Sequence, residues 1–202
     1  MSKKIKLLVF SGILLIVTLI LFFLLKRGNP NPEFTIGQAL DSLNHVKIYY
    51  NGSVSHTGKR NVSPDGYNIG LTYQCVEFVK RYYYEYYHHK MPDSYGNAKD
   101  FFDSSVKDGQ VNPRRDLIQF TNPSRYKPAI GDMVIFDGHA GNSYGHVAII
   151  SDVTARTIEI IQQNPGPFAS SRVRFDMDST ATGFTIQHER LIGRLRMKKQ
   201  NP

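Results

Sequence analysis

Cys75 is the single cysteine of the chain, and it opens the run Gln74-Cys75-Val76-Glu77-Phe78, after which Val76, Val79, Tyr83 and Tyr86 recur at helical spacing. A helix beginning near Gln74 puts the thiol in its first turn, where free peptide N–H groups and the positive end of the dipole favour the nucleophilic thiolate. A lone cysteine is equally at home as a small buried hydrophobe, so position alone does not make it reactive. A cysteine nucleophile needs a base, usually histidine, and a third group that orients the imidazole. Of the seven histidines, His146 heads the apolar strand Gly145-His146-Val147-Ala148-Ile149-Ile150 behind a glycine-rich turn, and is the first choice for the base. His139, inside that turn, is the fallback, while His88 and His89 follow a tyrosine run in polar surroundings and read as solvated. The next strand, residues 157–163, is predicted to return beside the His146 strand through a turn at 154–156. Its polar end then brings Gln162 and Asn164 to the imidazole, where either side-chain carbonyl would fix the ring tautomer.

These residues need a scaffold, and the pattern reads as α+β. Helical spacing of Ile36, Ala39, Leu40 and Leu43 predicts a helix over 36–43. A short strand at 46–50, a long loop at 51–70, the Cys75 helix and a weaker helix at 98–106 come next. Short β-rich runs at 133–136, 147–153, 157–163 and 191–195 then suggest consecutive antiparallel strands. No internal repeat is visible, which excludes a solenoid or propeller.

Residues 7–25 carry no charge over 19 positions, long enough at about 1.5 Å per residue to cross a bilayer core of roughly 30 Å. The run ends in Lys26-Arg27-Gly28-Asn29-Pro30 without a small-residue cleavage site, so it reads as an uncleaved signal anchor, with secretion after cleavage as the alternative. The flanking bases favour a cytoplasmic N-terminus, which would put the remainder outside the cytoplasm. The expected division is an anchor at 1–27, a linker at 28–35, a catalytic domain at 36–197 and a flexible tail at 198–202.

The formal charge of +8 first suggests an anionic partner. Residues 1–27 hold five bases and no acid, however, and the rest of the chain has 20 bases against 17 acids. The basic signal therefore speaks mainly about topology, and nucleic-acid binding is not expected. One cysteine excludes a disulfide framework and a cysteine-cluster zinc site. Asp176 and Asp178 alone are too few for a calcium loop, and no metal or cofactor is expected. The tyrosines of residues 82–87 must partly face a core at helical spacing, which accounts for them without a sugar-stacking role.

Gln74-Cys75-Val76-Glu77-Phe78, Pro128-Ala129-Ile130-Gly131-Asp132-Met133-Val134, Gly145-His146-Val147-Ala148, Gln162-Gln163-Asn164 and Ile192-Gly193-Arg194-Leu195 occur in an order that resembles the CHAP family of cysteine, histidine-dependent amidohydrolases/peptidases. The resemblance spans roughly residues 40–197, and its Cys-Val-Glu-Phe version is most similar to the glutathionylspermidine amidase branch. It implies a papain-like core of N-terminal helices on an antiparallel sheet, with Cys75 as nucleophile and His146 as base. It further implies an oxyanion hole from Cys75 N–H and a donor of Gln74. That branch usually has Glu-Gln-Asn where this chain has Gln162-Gln163-Asn164, so a neutral amide stands in the place of an acidic orienter. The substrate implied is an amide bond, in peptidoglycan for an extracytoplasmic domain or in a small conjugate such as glutathionylspermidine. A binding module with a weakened site is the non-enzymatic alternative.

Overall fold

The charge-free N-terminal run forms a helix, α1 (Lys3–Arg27), whose apolar side chains are exposed as far as Phe23. The Thr18 hydroxyl, in the middle of the helix, donates to the Leu14 carbonyl at 2.8 Å, so it needs no outside partner. The helix is long and apolar enough to cross a membrane, and the same properties suit a signal sequence. The computed structural model describes residues 2–198, and residues 199–202 of the expected tail lie outside the described residues.

After the linker come β1 (Ala39–Leu43), β2 (Val46–Tyr49), β3 (Arg60–Val62), β4 (Asn68–Leu71) and the helix α2 (Cys75–Tyr87). The remaining strands are β5 (Gln110–Asn112), β6 (Leu117–Thr121), β7 (Met133–Phe136), β8 (His146–Val153), β9 (Thr157–Ile161), β10 (Arg172–Thr180), β11 (Gly183–Ile186) and β12 (Leu191–Arg196). The last eight form one sheet in the order β11-β10-β9-β8-β7-β12-β6-β5, with every neighbouring pair antiparallel. Ser124, just past β6, bridges to Phe184 of β11, so the sheet curls until strands near its two edges approach each other. The fold is thus α+β, with one helix rather than several on the large sheet.

Three expectations change. The 36–43 segment is not a helix but β1, joined to β2 by the two-residue turn Asn44-His45 with both φ angles positive. Ile36 and Leu40, which suggested a buried helical stripe, are 39% and 38% exposed and never formed one. The 51–70 loop contains β3 and the start of β4, and the 98–106 helix shrinks to a 3-10 turn at Ala98–Phe101.

The strands that carry the site are buried on both faces. Met133, Ile135, Val147 and Ile149 point to α2, meeting Phe78, Val79, Tyr82 and Tyr83. Val134, Phe136, Ala148 and Ile150 point the other way, to Ile158, Ile160, Met177 and Ile186. Tyr86, assigned to the helix stripe on spacing, is instead 46% exposed.

A buried ionic brace ties β12 to the turn before β7. Asp132, fully buried, accepts from Arg194 Nε at 3.0 Å and Arg196 Nε at 2.6 Å. This explains why the Gly131-Asp132 and Gly193-Arg194 motifs, 62 residues apart, belong together.

Candidate active site

Tyr73 is in the left-handed region, φ 66°, immediately before the Gln74 N-cap, φ −81°. That turn reverses β4 into α2 and makes Cys75 the first helical residue. The thiol is only part-exposed, and its Sγ faces the backbone N–H groups of Val147, Val76 and Cys75 itself. Burial pushes its pKa up, and those three donors pull the other way without overcoming it. The helix N-terminus alone therefore does not make a resting thiolate here.

Contact with Val147 N–H also places Cys75 beside the residue that follows His146. His146 opens β8 after Gly145, whose φ is 78°. A Cβ on Gly145 would come within 2.4 Å of the Phe136 carbonyl, so the close approach demands glycine. His146 Nε2 lies 3.0 Å from Gln162 Oε1. The Gln162 amide is oriented by its other end, which donates to the Ser170 carbonyl at 3.1 Å. Its oxygen thus faces the ring, Nε2 carries the ring proton, and Nδ1 is left as the basic nitrogen. Burial lowers the His146 pKa to about 4 against the raising effect of Gln162, with the charge of Arg190 lowering it further. Thiol and imidazole are both neutral at rest.

The two alternatives for the third residue part company. Gln162 holds the ring, whereas Asn164 donates to Gln74 Oε1 at 2.9 Å and to the Val54 carbonyl at 3.0 Å. Gln74 in turn gives its Nε2 to the His56 carbonyl at 2.5 Å. Its side-chain donor is committed to that loop rather than open over Cys75. His139 sits exposed in its turn, accepting from Gly141 N–H at 3.1 Å. His88 is exposed as expected, but His89 is part-buried with Nε2 2.9 Å from the Arg115 carbonyl.

Gln163, which no motif singles out by itself, links β2, the Gln74 carbonyl and Glu77. Fully buried, it donates to the Gln74 carbonyl at 3.0 Å and to Glu77 Oε2 at 2.9 Å, and accepts from Tyr49 N–H at 2.9 Å. Glu77 is paired with Arg81 at 2.7 Å. The end of β9 is therefore locked to the first turn of α2, which carries the thiol. Glu77 and Arg81 at i and i+4 were the available signal.

A family model for the CHAP domain matches residues 64–164, half of the chain, from just before β4 to Asn164. This chain belongs to the CHAP family. Cys75, His146 and Gln162 all fall within the matched CHAP segment. Among curated proteins the chain is similar to a trypanothione synthetase of Crithidia fasciculata, 30% identical over 59% of this chain and 18% of that protein. It is also similar to a glutathionylspermidine synthase of the same organism, 32% identical over 48% of this chain and 14% of that protein. The chain thus spans less than a fifth of either relative. CHAP membership implies amidase or peptidase chemistry in general.

Proposed function

We propose that this CHAP chain is a cysteine amidohydrolase with a papain-like core, anchored through residues 7–25 of α1 with its N-terminus in the cytoplasm. Its catalytic domain works outside the cytoplasm on peptide amide bonds of peptidoglycan. The observation that carries the chemistry is the His146 tautomer: Ser170 orients Gln162, Gln162 holds Nε2–H, and Nδ1 is free on a ring next to the residue that binds the Cys75 thiol.

With both groups neutral at rest, proton transfer accompanies attack. His146 Nδ1 takes the Cys75 proton as sulfur adds to the amide carbon. The oxyanion is received by Cys75 N–H at the start of α2, and Gln74 joins by releasing the His56 carbonyl. The imidazolium then protonates the leaving amine, the C–N bond breaks, and a thioester remains. Water activated by His146 hydrolyses it, releasing the carboxylic acid and restoring the thiol.

The test is product analysis on purified peptidoglycan, with new amino and carboxyl termini expected from the native protein and none from Cys75→Ala. Retained cleavage by Cys75→Ala would refute the mechanism. The similarity to a glutathionylspermidine synthase favours a second reading, an amidase on a small conjugate of that type. Hydrolysis of glutathionylspermidine with intact peptidoglycan would establish it, and reporter fusions after Arg27 active only in the cytoplasm would rank it first.

A further inference from the structure

The chain is seated on the folded domain as soon as α1 ends. Gly28, the residue after the helix, brings its carbonyl oxygen within 3.5 Å of where a Gly52 Cβ would lie. Asn29 Oδ1 accepts from the Tyr50 hydroxyl at 2.8 Å, its Nδ2 donates to the Phe34 carbonyl at 2.7 Å, and the Phe34 ring packs on Tyr50 with centroids 5.5 Å apart. Asn31, buried, donates to the Pro167 carbonyl at 3.0 Å. It follows Arg27 by four residues, a reach of roughly 14 Å at most. Residues 28–35 are therefore not a loose tether: they clamp the Gly52 turn and the 165–171 loop to the end of α1.

The clamped face is built from unusual sequence. Residues 48–58 and 160–171 contain no lysine, arginine, aspartate or glutamate, although 21% of the chain is charged. Ile36, Val54 and Phe168 are exposed on it, Phe168 at 73%. Ile36 Cδ1 lies against Gly52, and Val54 Cγ2 lies beside Gly166, two residues before Phe168, so the three border one stretch of surface. An exposed aromatic ring on an uncharged loop suits the zone between lipid headgroups and acyl chains.

We infer that this face, with Phe168 foremost, rests on the bilayer surface from which α1 emerges. The inference rests on the reading of α1 as a membrane anchor and holds for either side of the membrane. Glu33, the one charged residue of 28–38, gives the face no attraction for anionic lipid, so the partner is a zwitterionic surface held by apolar contact. The candidate site shares this face: Asn164, which holds Gln74, also donates to the Val54 carbonyl, and both belong to the uncharged segments. The amide bonds within reach of Cys75 are then those close to the lipid.

The chain contains no tryptophan, so one substitution makes a single fluorescent reporter. The full chain is placed in phosphatidylcholine nanodiscs with plain or brominated acyl chains, in three variants. Leu15→Trp, in the middle of α1, reports the anchor, and Phe168→Trp reports the face. Ile130→Trp is the control: it is exposed and adjoins Gly131, which abuts Tyr87 at the far end of α2, roughly 20 Å from Cys75. Bromine is expected to remove at least about half the emission of Leu15→Trp and Phe168→Trp and to leave Ile130→Trp unchanged. Quenching of Leu15→Trp without Phe168→Trp would overturn the surface and keep the anchor, whereas quenching of neither would retire the anchor and the surface with it. A blue-shifted Phe168→Trp emission that bromine does not quench would put a protein partner, such as a second copy of the chain, in the place of lipid. Equal quenching of Ile130→Trp would mean that no face is preferred, and either result would overturn the inference.

Discussion

The scaffold and the site solve burial in opposite ways. Under β12 the chain buries full charges and pairs them, Asp132 with Arg194 and Arg196, and does so again where Glu77 meets Arg81. At the candidate site it surrounds a titratable pair with neutral amides: Gln162 on the His146 ring, Gln163 behind the helix, and Gln74, held by Asn164, next to Cys75 in the chain. Paired buried charge is unforgiving and pins geometry, whereas neutral amides orient a group without fixing its charge. The difference separates what must not move from what must exchange a proton.

That contrast can be broken at either end. The largest effect is expected from Cys75→Ala, a loss of at least about 10⁴-fold in kcat with an unaltered unfolding midpoint, because removing a nucleophile removes the covalent route. Asp132→Asn should do the converse, lowering stability by roughly 3–5 kcal/mol in urea unfolding by leaving Arg194 and Arg196 without their countercharge, while kcat per folded molecule stays near native. Gln162→Leu should cost about 10²-fold in kcat, since the ring loses its orienting acceptor, with little change in stability.

Gln162→Glu sharpens the comparison by bringing charge into the site. A carboxylate next to the ring favours imidazolium, so the acidic limb of the pH–kcat/KM profile should move upward from its native position near pH 4. An unmoved limb would mean that His146 is not the titrating base. The smallest effect is on native stability in acid. The folded ring, at about 4, takes a proton less readily than the unfolded ring, at about 6.5, so the unfolded state binds more protons between those values. Stability contributed by neutral His146 is present above pH 6.5 and is lost as pH falls towards 4. The loss is at most about 3 kcal/mol, reduced because the residue is part-exposed. Calorimetric melting from pH 7 to 4 with His146→Gln as reference measures it.

The parts of the site that could be read from sequence sit where elements begin. Cys75 at a helix start and His146 at a strand start are positions that residue types reveal, and the hairpin from β8 to β9 carries Gln162 to the ring as the alternation of its strands implies. The choice between Gln162 and Asn164 was not legible because it depends on what happens after β9 ends. There Asn164 turns into the left-handed region, φ 58°, and away to Gln74. The β1 segment misled because apolar spacing was weighed above its turn, although a positive-φ asparagine between short apolar runs is a hairpin signal. Asp176 and Asp178 read as a solvated strand or turn rather than a calcium loop, and β10 is that strand, with Val173, Phe175 and Met177 alternating with them.

Three successive residues past β9 touch three different parts of the candidate site: Gln162 the His146 ring, Gln163 the start of the helix that bears Cys75, and Asn164 the Gln74 side chain before it. They work as the teeth of one key. Because β9 sets where these three residues begin, a slip of that strand by one position against β8 would withdraw all three at once. Deletion of a single residue from the β8–β9 turn, far from any reacting atom, should therefore silence the enzyme as thoroughly as removing its nucleophile.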